Sequence, residues 1–126
     1  MLGIALALIA ARTTMPDSLT RDPDLRCLAA VSAALGIVAD RKDADPETVP
    51  GLTAVFMYFL GKVDAARPGL DYAPPLARLM NSPTYANDLP ADLKRCGAEA
   101  EGRGQMLQDL ADKLRASVRF GRPGAG

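Results

Sequence analysis

One helical register runs through the last third of the chain and crosses a cluster of three glycines. The segment CGAEAEGRGQML, residues 96–107, contains no Gly-Lys-Ser/Thr and follows no strand pattern, so its composition does not make it a phosphate-binding loop. A loop would have no physical reason to keep a helical register on both sides of itself, so the spacing predicts one long helix that starts near 88–90 and ends near Ser117. The register consists of small or apolar residues at steps of three and four: Leu93, Cys96, Ala100, Gly104, Leu107, Ala111, Leu114 and Val118.

Two other segments show the same periodicity, at 24–39 and 51–69, and a short helix is predicted before Asn81. No segment alternates with period two strongly enough to form a strand. The sequence therefore predicts an all-α protein, a small bundle of three main helices plus one short helix. The middle helix carries three of the six aromatic side chains and should lie at the centre of the core. The predicted core residues are Leu28, Leu35, Phe56, Phe59, Leu60 and Leu107.

Glycine inside the last helix suggests close packing against another helix. Each glycine costs about 1 kcal/mol of helix stability relative to alanine, and a close backbone contact would offset this cost. Gly104 and Ala100 lie one turn apart in the register, and the first helix offers Ala30 and Ala34 as small partners. The other two glycines of the cluster, at 97 and 102, lie off this register and receive no role.

Two cysteines, Cys27 and Cys96, are the only ones in the chain. In an oxidising compartment they would form a disulfide that closes a loop of about 70 residues, worth roughly 4 kcal/mol in the chain-entropy model. The alternative is a pair of buried thiols. If the bond forms, both cysteines are expected near the starts of their helices, so the first and last helices should run side by side in the same direction, with the middle helix running back between them.

The apolar run from Leu2 to Ala11 is about as long as the hydrophobic region of a secretory signal and too short to span a bilayer. We therefore interpret residues 1–14 as a signal peptide or apolar N-terminal segment, 15–24 as a linker, 25–118 as a single helical domain and 119–126 as a tail. This predicts a periplasmic or secreted protein. A buried N-terminal helix in a cytoplasmic protein is the alternative, and a membrane tether requires that the run is retained.

Composition and spacing exclude several functions. Fifteen basic side chains balance fifteen acidic ones, so the chain lacks the positive field that nucleic-acid binding needs. The absence of histidine removes the commonest general base and most zinc sites. The acidic loop at 43–47 lacks the glycine and glutamate of a calcium loop, and Tyr58 with Lys62 has the spacing of a dehydrogenase pair without any dinucleotide fold. No catalytic residue, metal ligand or cofactor is assigned.

Three segments carry a resemblance to known proteins: RCLAAVSAALG, FMYFLGKVDAARPG and CGAEAEGRGQML followed by QDL. Together they resemble a group of small, uncharacterised, exported bacterial helical proteins with two cysteines. The layout is also similar, more loosely, to HdeA-type periplasmic chaperones and to periplasmic immunity proteins. The resemblance implies an exported helical protein and assigns no functional residue.

We expect a non-catalytic protein that binds an unidentified protein or self-associates through a face left open beside the middle helix. The alternative from another class is a small enzyme or ligand carrier, in which Asp64 or Asp71 would act beside Tyr58 or Tyr72 in a cleft. A membrane-tethered helical protein is the third possibility.

Overall fold

The computed structural model of the protein describes residues 17–119, and within this range the chain forms five α-helices and no strand. The all-α class predicted from the sequence is confirmed. None of the helices in this range is both long and apolar enough to cross a bilayer. The proposed signal at 1–14 and the tail after Arg119 lie outside the described residues. The helices are α1 (Asp17–Arg21), α2 (Pro23–Ala39), α3 (Thr48–Ala66), α4 (Ala73–Met80) and α5 (Tyr85–Ser117).

A side-chain cap sets the start of α2. Oδ1 of Asp22 accepts hydrogen bonds from the backbone N–H groups of Asp24 (2.9 Å) and Leu25 (3.0 Å). Pro23 follows in the first helical position, where its missing N–H costs nothing. The predicted start of this helix is therefore correct to within one residue.

Residues 15–24, predicted to be a linker, contain α1, so the prediction is wrong at its centre. The reason is Leu19, which is only 7% exposed and belongs to the same buried cluster as Leu25 and Leu28. One leucine in a polar segment gives no periodic signal, but its burial holds the turn against the core.

The core lies between α2 and α3 and centres on Phe59. Leu28 and Phe59 are fully buried, and Leu35, Phe56 and Leu60 are partly buried against them. Five of the six predicted core residues therefore lie in or against the core. The prediction for Leu107 is wrong, because this side chain is 65% exposed.

A disulfide joins Cys27 of α2 to Cys96 of α5, with the two Cα atoms 5.5 Å apart. Both cysteines are buried in the main cluster. The predicted pairing is confirmed, and no free cysteine is present in the chain.

The direction of α5 relative to α2 differs from the prediction. The guanidinium of Arg95 reaches back to the carbonyl oxygen of Pro23 (3.1 Å), whereas Ala29, six residues further along α2, shares a buried cluster with Tyr85, ten residues earlier in α5. Later residues of α2 thus meet earlier residues of α5, so the two helices are antiparallel where they touch. The parallel arrangement was wrong because Cys96 is the twelfth residue of α5 instead of lying near its start.

The early start of α5 explains this error. Pro90 suggested a helix beginning at 88–90, but the helix begins at Tyr85 and contains the proline. Tyr85 is 7% exposed and packs in a cluster with Leu79 of α4, so tertiary contacts stabilise the first turn. This packing outweighs the single backbone hydrogen bond that Pro90 cannot make.

Candidate functional site

The two halves of α5 have different surroundings. Tyr85, Asp92 and Cys96 are buried in the first half, and Ala100 is partly buried against the main cluster. From Glu101 to Ser117 every residue except the half-buried Ala111 is exposed. We call residues 101–118, which include the C-terminal cap, the projecting half of α5.

One side of the projecting half is apolar. At about 100° per residue, its five large apolar side chains fall within roughly 120° of the helix circumference, and this side continues the buried face of the first half. Nine large hydrophobic side chains are exposed in the described residues, and five of them lie here with 40–65% of their surface exposed. Exposed apolar residues that are scattered singly over a surface would not be concentrated in this way. We call these residues the apolar face: Met106, Leu107, Leu110, Leu114 and Val118.

The glycines of the projecting half do not pack closely against another part of the described chain. A Cβ atom added at Gly104 would meet no heavy atom within 4 Å, and the same holds at Gly97 and Gly102. The predicted close-packing role of Gly104 is therefore wrong within residues 17–119, because α5 has already left the body at this point. The other members of that prediction lie deeper: Ala30 is fully buried, and Ala34 and Ala100 are half-buried.

A groove lies where the projecting half leaves α3. It has a volume of about 340 Å³ and is lined by Tyr58 and Lys62 of α3 and by Arg103, Met106 and Leu107 of α5. Two of these residues belong to the apolar face, so the groove and the face form one continuous surface. The groove lies beside the middle helix, where we expected an open face, whereas most of the apolar face lies further along α5.

Charged groups hold the base of this groove together. The ammonium nitrogen of Lys62 lies 2.8 Å from Oδ1 of Asp24 and 2.9 Å from Oε2 of Glu99, and the Tyr58 hydroxyl donates to the same Glu99 oxygen at 3.0 Å. The hydrogen bonds from Lys62 and then Tyr58 lower the pKa of Glu99, against an opposing effect of burial. The hydrogen bond to Asp24, helped by that to Glu99, raises the pKa of Lys62. The tyrosine and lysine of the dehydrogenase-like spacing thus both bind one carboxylate that ties α5 to α3.

A second polar group ties α5 to α2. The guanidinium of Arg26 contacts Oδ2 of Asp92 through Nη2 (2.8 Å) and Nε (3.1 Å) and also reaches Asp88 at 3.5 Å. Asp92 is only 8% exposed. The sequence analysis did not single out this pair, although Asp92 lies four residues before Cys96, where a charged residue on a buried face is a signal for a buried partner.

A cleft of about 240 Å³ lies beside this ion pair, between α1, α4 and the start of α5. Three arginines line it, at positions 21, 26 and 78, and the guanidinium of Arg26 is already paired with Asp92 and with Asp88, which lines the same cleft. We interpret this ion pair as structural and assign no ligand to the cleft.

The residues of the enzyme alternative do not share a cleft. Asp64 and Asp71 are exposed, and the Tyr58 hydroxyl bonds to Glu99 instead of to either of them. Tyr72 does donate to Asp64 (2.9 Å), and this hydrogen bond raises the pKa of Tyr72, but the contact lies at the surface. Asp71 accepts from the N–H of Ala73 and so helps to start α4.

Metal-ligating side chains do not gather into groups of three or more anywhere in residues 17–119. Comparison of the chain with family models, curated protein sequences and solved structures finds no match. The candidate site therefore rests on the geometry of this chain alone, and the apolar face with its adjoining groove is the feature that calls for an explanation.

Proposed function

We propose that the protein is a non-catalytic, exported helical protein that acts by binding a protein through the apolar face of the projecting half of α5. One observation carries the proposal: a broad row of large apolar side chains lies open to solvent on a helix that has left its own core. Monomeric proteins rarely leave such a contiguous surface uncovered unless it contacts another molecule.

The low stability expected of the projecting half on its own also supports the proposal. Most of the stability of a helix in a protein comes from packing of its apolar face, and Gly102 and Gly104 each cost this one about 1 kcal/mol relative to alanine. Because no tertiary contact in the described chain covers its apolar face, an external partner would supply the missing burial. Binding a protein along this face would then order the helix and hide the leucines at once.

The disulfide supports the exported location, since such bonds persist in oxidising compartments. The compartment is tested by isolating the protein from its native cells, counting its free thiols and sequencing its N-terminus. We expect no free thiol and an N-terminus beyond residue 11. Free thiols on both cysteines together with a retained N-terminus would contradict export, and a retained N-terminus in a membrane fraction would favour the tethered alternative.

The binding function is tested with a photo-crosslinking amino acid placed at Leu110 on the apolar face or at Gln105 on the opposite side, which are both exposed. We expect a specific adduct from position 110 in native cells and none from position 105. Its other component is identified by mass spectrometry and its affinity is remeasured with purified proteins. Leu107→Asp should weaken that affinity at least tenfold and Gln105→Asp should leave it unchanged. The absence of any adduct from position 110 would overturn the proposal.

A further inference from the structure

We infer that the protein bound by the apolar face is a second copy of this chain, paired antiparallel with the first about a two-fold axis at Ala111. The inference rests on the proposed function, because both place binding on the same face. It goes further by naming the partner and its register. The sequence pattern along one strip of the helix and the groove at its base both support this pairing.

One strip of the helix, at 104, 107, 111, 114 and 118, reads nearly the same in both directions. Relative to Ala111, Gly104 and Val118 lie seven residues before and after, and Leu107 and Leu114 lie four before and three after. Antiparallel pairing about Ala111 therefore places each valine opposite a glycine, each Leu107 opposite a Leu114, and the two alanines opposite each other. The valine at each end then faces a glycine, and the small alanines at the centre allow the two helices to approach closely. This use of Gly104 needs the open space that the structure leaves around it.

The groove receives the end of the second helix in this arrangement. It lies beside Arg103 and Leu107, opposite the position that the pairing assigns to Val118 and the last turn of the other copy. The apolar ring faces of Tyr58 and the side chains of Met106 and Leu107 suit a valine. The chain also has no net charge, so two copies do not repel each other at long range.

The paired length sets the expected affinity. The 15 residues from Gly104 to Val118 span about 22 Å, and two such faces bury an area near the low end of specific interfaces, about 1,000 Å². We therefore expect a dissociation constant in the micromolar range. Association at this strength is readily followed by sedimentation velocity over a hundredfold range of concentration.

Single introduced cysteines test the register, because both native cysteines are already in the disulfide. Under mild oxidation, Ala111→Cys should form a disulfide-linked dimer at least tenfold faster than Gln105→Cys, an exposed control outside the face. Val118→Cys alone should not crosslink, since the two valines would be about 21 Å apart. Mixing Val118→Cys with Gly104→Cys should give the mixed dimer. Circular dichroism and the urea midpoint check that each variant is folded.

A substitution inside the paired strip tests the contact without a new thiol. Leu114→Asp should weaken dimerisation at least tenfold, and Gln105→Asp, on the opposite side of the helix, should leave it unchanged. Equal self-crosslinking at positions 111 and 118 would overturn the antiparallel register. The second-copy inference would be overturned if the chain stays monomeric at 100 µM while position 110 still crosslinks. The crosslinked component would then be a different protein or residues 1–14 of the same chain. In the case of a different protein the proposed function would stand, and if position 110 crosslinks to nothing, both fail.

Discussion

The two halves of α5 share one sequence register but have opposite environments. The first half is bonded to α2 by the disulfide, paired with Arg26 through Asp92, and held to α3 by Lys62 and Glu99. The projecting half makes none of these cross-helix contacts within the described chain, and its leucines are about half exposed. The same apolar periodicity therefore has different results in the two halves: in the first half it builds a core, and in the projecting half it leaves an apolar surface exposed within the described chain.

Helix length explains the difference. α5 has 33 residues, whereas α2 has 17 and α3 has 19. At 1.5 Å per residue α5 is about 50 Å long and its neighbours are about 25–29 Å. Because α5 also meets α2 in the antiparallel direction with Cys96 near its middle, its C-terminal half extends past the body.

The largest expected effect comes from the disulfide that holds the first half of α5 to α2. Cys27→Ala with Cys96→Ala should lower the free energy of unfolding by about 4 kcal/mol, because the unfolded chain regains the freedom of a loop of about 70 residues. Urea denaturation measures the change, and the unaltered protein in excess reductant should lose a similar amount. A loss below about 1 kcal/mol would show that the bond does little to hold α5 on the body.

Two truncations of large apolar residues compare the halves directly. Phe59→Ala should cost about 3–4 kcal/mol, since Phe59 is fully buried and its removal leaves a cavity. Leu107→Ala should change the free energy of unfolding by less than about 0.5 kcal/mol when measured below 1 µM protein, where the proposed dimer would be dissociated. Similar costs at the two positions would mean that Leu107 is covered within the single chain.

Two ion pairs provide the next comparison. Asp92→Asn should cost about 2 kcal/mol, because it leaves the largely buried guanidinium of Arg26 without its closest carboxylate. Asp112→Asn, in the exposed pair with Arg115 on the projecting half, should cost less than about 0.5 kcal/mol. The difference is read from urea midpoints, and equal effects would contradict the assignment of Asp92 to a structural role.

The smallest effect is a dependence on pH at the junction of the halves. The pKa of Glu99 is lower in the folded protein than its usual value of 4.5, so its contribution to stability is present above about pH 4.5 and is lost as the pH falls through the folded pKa. Because its side chain is 37% exposed, screening limits the effect to less than about 1 kcal/mol. Glu99→Gln should therefore lose less stability between pH 6 and pH 3 than the unaltered chain.

Glu101→Gln is the matched control for that change, since Glu101 is exposed, lies two residues further along α5 and has no ion-pair partner among residues 17–119. It should keep the pH dependence of the unaltered protein. If both variants show the same dependence as the unaltered chain, the contacts of Glu99 with Lys62 and Tyr58 do not contribute to stability.

Local signals in the sequence were sufficient to predict the fold class, the ends of α2 and the core around Phe59. Apolar spacing depends on neighbouring residues, so it is visible in the sequence. The disulfide was also predictable, since only two cysteines are present. The direction of α5 was not predictable, because it depends on where Cys96 lies along the helix. Packing of Tyr85 places the start of that helix five residues before Pro90.

The exposed half of the site was missed for a different reason. Leu107 and Gly104 continue the register of Cys96 and Ala100, and periodicity identifies an apolar face without showing what covers it. Only the lengths and directions of the other helices show that nothing in residues 17–119 covers this part of the apolar face. The surface was expected beside the middle helix, and the groove at Tyr58 and Leu107 lies there, but most of the apolar face extends further along α5.

Amide hydrogen exchange across α5, measured at several protein concentrations, tests the central claim most directly. The account predicts that amides of residues 92–100 are protected at every concentration, because the body holds them. Amides of residues 104–117 should exchange rapidly below 1 µM and become protected as the concentration rises to 100 µM. If residues 104–117 are as protected as residues 92–100 at the lowest concentration, the projecting half is stabilised within the single chain and the account is contradicted.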